Sequence, residues 1–165
     1  MEPTTKLVIG IDIGGTKVAG GLVDSCEEIH VHSRTPMITA GEASKGLTAV
    51  SAAIQALFSA VTERPRIEAI GICAPGPLSP LTGIIINPPN LAIWHNYPLA
   101  DEMRRLYNAN VKIDNDANAA ALAEAKWGTG RGYRNIFYAS KGVLAFRQEA
   151  KARSGENKCC GVLAR

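Results

Sequence analysis

Apolar and polar positions change period several times along the chain, and each change marks an element. Residues 6–17 open with the apolar run Leu7-Val8-Ile9-Gly10-Ile11 and pass Asp12 into Gly14-Gly15, a strand running into a glycine turn. Residues 18–24 are rich in β-formers and glycine and poor in helix-formers, and residues 28–34 alternate. Three strands on short turns predict an antiparallel meander. Residues 43–62 then take the helical period, with Leu47, Val50, Ile54, Leu57, Phe58 and Val61 on one face and Pro65 as the stop. A short buried strand is predicted over 67–74, ending in the turn Pro75-Gly76-Pro77. Residues 78–98 carry Pro80, Pro88, Pro89 and Pro98, which predicts a loop rather than a packed element. A short helix over 100–107, a strand over 111–114, an alanine-rich helix over 118–127 ended by Gly128, and a strand over 135–139 complete the pattern. A mixed sheet with helices on its faces, an α/β domain, is the economical assembly.

Composition narrows the classes. The 165 residues are 46% hydrophobic and 20% charged, ordinary for a globular chain and unlike a disordered one. No apolar run approaches the ~18–20 residues of a spanning helix. The start, Met1-Glu2-Pro3-Thr4-Thr5-Lys6, lacks a secretory pattern. The expectation is a soluble, cytoplasmic chain with no membrane partner. The net charge of +3 is unevenly spread: residues 141–165 hold six Lys or Arg against two Glu, and residues 1–140 hold twelve basic against thirteen acidic side chains. The body therefore has no nucleic-acid signature. Cys26, Cys73 and the adjacent Cys159 and Cys160 have no C-x-x-C spacing and read as reduced thiols. His30, His32 and His95 show no metal-ligand spacing with them, and no metal-ligating residue is expected.

Three polar stretches could carry chemistry. In Asp12-Ile13-Gly14-Gly15-Thr16-Lys17 the glycines let backbone N–H groups approach phosphate oxygens, Thr16 adds a hydroxyl and Lys17 a charge. Walker A spacing and a following helix are both lacking, and the β-forming residues 18–23 argue against a dinucleotide fingerprint. An Asp-x-Asp phosphohydrolase pair would need an acid at Gly14. The alternatives are a phosphate-binding hairpin, with Asp12 at its mouth suggesting a bridging metal ion or water, and a tight turn without a ligand. Asp114-Asn115-Asp116 with Asn118 stands between a strand end and a helix start. A carboxylate there can take a proton from an alcohol and an asparagine amide can hold hydroxyls, although capping would also favour these residues. Asn87-Pro88-Pro89-Asn90-Leu91, with Trp94 beyond, is either a structural loop or a stiff segment that orients Asn90 beside an indole floor for a sugar ring.

Taken in order, Asp12 to Lys17, Ala74-Pro75-Gly76-Pro77, Asn87 to Leu91 with Trp94, and Asp114 to Glu124 with Gly128 resemble the N-terminal half of a ROK-family sugar kinase. The pattern is similar to that of bacterial glucokinases and N-acetylmannosamine kinases, over roughly residues 6–139. The resemblance implies an actin-like (ribonuclease H-like) ATPase fold of two domains with the site in the cleft. It implies ATP as cofactor with Mg2+, held by Asp12, Gly14, Gly15, Thr16 and Lys17. It implies Asp116 as the general base, a sugar held by Gly76, Asn90, Asn115 and Asp116, and a possible homo-oligomer in complete relatives.

Departures from the family begin near residue 140. Where the family has a second phosphate loop of the type Gly-Thr-Gly-x-Gly, the chain reads Ser140-Lys141-Gly142-Val143-Leu144, and the family's cysteine-rich zinc motif and second-domain sugar ligands are absent. Cys159-Cys160 has the wrong spacing to replace that motif. The expected organisation is a kinase domain over 6–134, the start of a truncated second domain over 135–139, and an unrelated, poorly ordered tail over 140–165 such as a shifted reading frame would give. The expected function is an ATP-dependent hexose kinase lineage, inactive as this chain. Two alternatives are a non-catalytic remnant that binds sugar or a partner, and a sugar-responsive repressor of the same family. With roughly six residues before the first strand, the repressor's DNA-binding motif is not expected.

Overall fold

The computed structural model describes residues 6–62, 65–140, 143–148 and 161–164. The predicted meander is present as β1 (Leu7–Ile13), β2 (Lys17–Val23) and β3 (Ile29–Pro36), paired antiparallel in sequence. After α1 (Ala43–Ser59) come β4 (Ile67–Ala74), β5 (Leu78–Ser79), β6 (Ile84–Ile85), α2 (Leu99–Tyr107) and β7 (Asn110–Asn115). The main sheet runs β3-β2-β1-β4-β7, with β1, β4 and β7 parallel. Strand alternation aims Ile9, Ile11 and Ile13, Val18 and Leu22, Ile70 and Ile72, and Val111 and Ile113 to one face. There they meet α1. The buried side of α1 is Gly46, Ala49, Val50, Ala53, Ile54 and Leu57, while Leu47, Phe58 and Val61 are only partly buried. The stripe is thus rotated toward the alanines, whose small size lets the helix lie close to the sheet. Ser33 Oγ and Thr35 Oγ1 of β3 then donate to the Ala53 and Ala49 carbonyls at 2.8 and 3.3 Å.

Two expectations are corrected. The first helix ends at Ser59, well before Pro65, and Ser59 Oγ bonds back to the Gln55 carbonyl at 3.0 Å. The proline is therefore not the stop. Residues 78–98 are not a bare loop: β5 and β6 form a small hairpin, Ile85 exchanges backbone bonds with Tyr97, and Ile85, Leu91 and Trp94 are fully buried in the main core. Proline content reports the lack of regular hydrogen bonding and says nothing about packing.

The chain divides into two compact units, Met1–Asn115 and Asp116–Arg165. In the second, α3 (Asp116–Lys126) starts two residues earlier than its alanine pattern predicts, and Ala117 and Ala121 pack with Tyr138. Strand β8 (Asn135–Ser140) lies between antiparallel β9 (Val143–Gln148) and parallel β10 (Gly161–Ala164). Residues 143–148 and 161–164 are thus strands, where the sequence predicts a poorly ordered tail over 140–165. Helix α3, placed with residues 6–134 by the sequence reading, groups here with β8. Cys159 and Cys160 lie outside the described residues.

Candidate functional site

The three parallel strands end together. Asp12 is in register with Cys73, and Cys73 with Asp114; each is the penultimate residue of its strand. One pair further on, Ala74 aligns with Asn115. Turns leaving the carboxyl ends of parallel strands are where open α/β sheets place ligands.

The turn after β1 is built by backbone geometry. Gly14 N–H closes on the Lys17 carbonyl at 2.8 Å, and Met37 N–H ties the Thr16 carbonyl to the end of β3 at 3.0 Å. Among the described residues, no backbone bond takes up the N–H groups of Gly15 and Thr16. Asp12, Thr16 and Lys17 are exposed. Neither glycine of this turn has a positive φ, so left-handed backbone is not the reason for glycine here. Space is the reason at Gly15: a Cβ there would lie 3.1 Å from Asn90 Cβ and 3.4 Å from the Asn90 carbonyl oxygen. The 87–91 segment therefore abuts the turn, which brings Asn90 to Gly15. On the other side, a Cβ at Gly76 would meet Asn115 Nδ2 at 3.1 Å.

The turn fits a phosphate with its metal ion. Two unclosed N–H groups, an exposed Lys17 ammonium and an exposed Asp12 carboxylate at one loop suit an anion and the cation accompanying it. Among the described residues, no cluster of three or more His, Cys, Asp or Glu could hold a metal ion on its own. No helix among them is long and apolar enough to cross a membrane.

Asp114 Oδ1 accepts the Asn115 N–H at 2.7 Å, and Asp116 Oδ1 accepts the Ala117 N–H at 2.8 Å. Asp116 is the first residue of α3, and its bond to the next N–H leaves its other oxygen outside that contact. Trp94 is not a sugar floor. It is fully buried, its Nε1–H donates to the Ala43 carbonyl at 3.0 Å, and its ring stacks on Tyr97 at 5.5 Å. Cys73, set aside by sequence reading as a reduced thiol, stands in the row of site carboxylates with Sγ 3.4 Å from Asp12 Oδ1. The available signal was its penultimate place in a strand running into a Pro-Gly turn.

A sheet of this order, with helices packed on it and polar residues gathered where the parallel strands end, defines an α/β domain. The ROK family's sequence profile matches residues 8–143, and the chain belongs to that family. It is 35% identical over 137 residues to the glucokinase of Streptomyces coelicolor, covering 83% of this chain and 41% of that protein. The structure of a ROK family glucokinase from Streptomyces griseus in complex with glucose and AMPPNP matches with a TM-score of 0.70 and 32% identity, over 81% of this chain and 41% of that one. The xylose repressor of Bacillus spizizenii is 30% identical over 142 residues, covering 80% of this chain and 34% of the repressor. The fold is the actin-like ATPase fold of ROK sugar kinases, and the chain is of that lineage. It spans about two fifths of the length of the glucokinases it matches.

Proposed function

We propose that this chain builds the first phosphate loop and the sugar-facing wall of an ATP-dependent hexose kinase, with glucose as the first acceptor to test and N-acetylmannosamine the second. The observation that carries the reading is the contact of Gly15 with Asn90, which sets a loop suited to phosphate against a side chain suited to a sugar hydroxyl. The Gly15 and Thr16 N–H groups and Lys17 would hold phosphate oxygens, Gly14 shapes the turn, and Asp12 would hold Mg2+ through its water. Magnesium-bound ATP, when present, supplies the transferable phosphoryl group and neutralises its charge. Asn90 and Asn115 fix the sugar, and Gly76 leaves room for the Asn115 amide. Asp116, next in the chain to Asn115, takes the hydroxyl proton on the oxygen not engaged with Ala117. Positioning and charge neutralisation supply most of the acceleration in such transfers, and the protein's task is to hold both partners still.

A polypeptide of these 165 residues carries one phosphate loop and should show negligible turnover. Joining residues 1–139 to the C-terminal portion of the Streptomyces coelicolor glucokinase should restore it. ADP release coupled to glucose is the measurement. Glucose-dependent release by the chimera supports the reading; a folded chimera that releases none contradicts it. Turnover near 1 s⁻¹ by the 165 residues alone, an ordinary enzyme rate, would contradict the need for a second loop. A repressor reading draws on the 30% identity with the xylose repressor. It is favoured if the chimera binds glucose but never transfers phosphate.

A further inference from the structure

Cys73 has no part in the function proposed above, yet it occupies the centre of the site's backbone row. Its neighbours Ile72 and Ala74 are buried in the core, so strand alternation sends the Cys73 side chain to the opposite face. On that face its register partners are Asp12 and Asp114. Its S–H donates to Asp12 Oδ1 at 3.4 Å, a bond between a weak donor and a charged acceptor. Asp12 is exposed, and the thiol is the side chain that bonds to it among the described residues.

We propose that Cys73 is a positioning residue: its S–H holds the Asp12 carboxylate at the mouth of the 14–17 turn, in the orientation that meets a metal ion or its bound water. The inference rests on reading that turn as a phosphate and metal site. An exposed carboxylate without a partner turns among its rotamers, and fixing one of them opposes binding. A neighbouring strand that supplies a donor removes part of that cost before the ligand arrives. A thiol suits the place because it is small and makes a bond that a metal ion can still outcompete.

The test uses the 165-residue protein and two readouts. The first is the rate of iodoacetamide alkylation at Cys73 relative to exposed Cys26, mapped by mass spectrometry. The thiolate is the nucleophile, so a thiol whose proton is held by a carboxylate reacts slowly. Asp12→Ala should raise the Cys73 to Cys26 ratio several-fold; an unchanged ratio overturns the proposal. The second is calorimetric titration with ATP, with Mg2+ or with EDTA, of the wild type, Cys73→Ala and Cys73→Ser. Cys73→Ala should weaken Mg·ATP binding by roughly 3–10-fold, the scale of one ordinary hydrogen bond, as suits a weak S–H donor. Cys73→Ser should recover most of the loss, and binding in EDTA should be equal in all three. Mg·ATP affinity equal in Cys73→Ala and wild type overturns the proposal. A wild type that binds no Mg·ATP, while Asp12→Ala still speeds alkylation, overturns the phosphate reading of the turn and supports the Cys73–Asp12 pair.

Discussion

Trp94 and Gly46 interlock, and together they show what a single residue decides in this fold. The indole is buried between α1 and the 87–98 segment, with its N–H on the Ala43 carbonyl. Gly46 of α1 makes the space: a Cβ there would lie 2.9 Å from Trp94 Nε1 and 2.8 Å from Ile93 Cδ1. Alanine is the better helix former by about 1 kcal/mol, so on propensity alone Gly46→Ala should stabilise. Overpacking a filled core costs about 1–3 kcal/mol, and that term should win. Urea denaturation is expected to show a net loss of stability for Gly46→Ala; a gain would mean that the indole is not seated against the helix. From sequence, an indole beyond a stiff proline segment reads either as part of a structural loop or as a floor for a sugar ring. Its burial depends on a glycine 48 positions earlier, a pairing that no local pattern displays.

Among the elements, the β2–β3 turn carries its own pH dependence. The Asp24 carboxyl is held below its ordinary value of 3.8, first by the Glu28 N–H, then by the His30 ring, and also by the Cys26 N–H. A depressed carboxylate contributes stability above its unfolded value and loses it as pH falls through the folded one. Protection of the Cys26 and Glu28 amides from hydrogen exchange, corrected for intrinsic rate, should therefore fall as pH drops below 3.8, while the β1–β2 ladder keeps its protection. Equal loss in both would show that the turn has no separate titration. The elements β1 to β4 and α1 were legible from apolar runs, β-forming residues, the alternation over 28–34 and the 3.6-residue repeat over 43–62, although that repeat missed the alanines on the buried side of α1. Residues 78–98 were not, since Ile85, in a two-residue strand, and Leu91 and Trp94, beyond it, are buried one at a time and share no period. Of the site, Asp12 to Lys17, Asn87 to Leu91 and Asp114 to Asn118 could be read as motifs. The row Asp12–Cys73–Asp114 could not, because parallel register between strands far apart in sequence leaves no local trace.

At the scale of the whole molecule, the chain holds a five-stranded unit that carries the 14–17 turn, proposed to bind phosphate, and a second unit that begins at Asp116. The carboxylate proposed as base is therefore the first residue of the second unit, next in the chain to Asn115, one of the asparagines proposed to hold the sugar. Its chemistry is expressed only when both partners of the transfer are held, so the central claim is best tested in the chimera completed with the glucokinase C-terminal portion. The decisive measurement is kcat and glucose affinity for Asp116→Asn beside Asp114→Asn. Asp116→Asn keeps shape and hydrogen bonding but removes the proton acceptor. Its kcat should fall by roughly 10²–10⁴-fold, the range for loss of a general base, with glucose still bound. Asp114→Asn, whose carboxylate is engaged with the Asn115 N–H in the strand end, should cost little in either quantity. The reverse pattern, an active Asp116→Asn enzyme and a dead Asp114→Asn one, would contradict the assignment of the catalytic carboxylate.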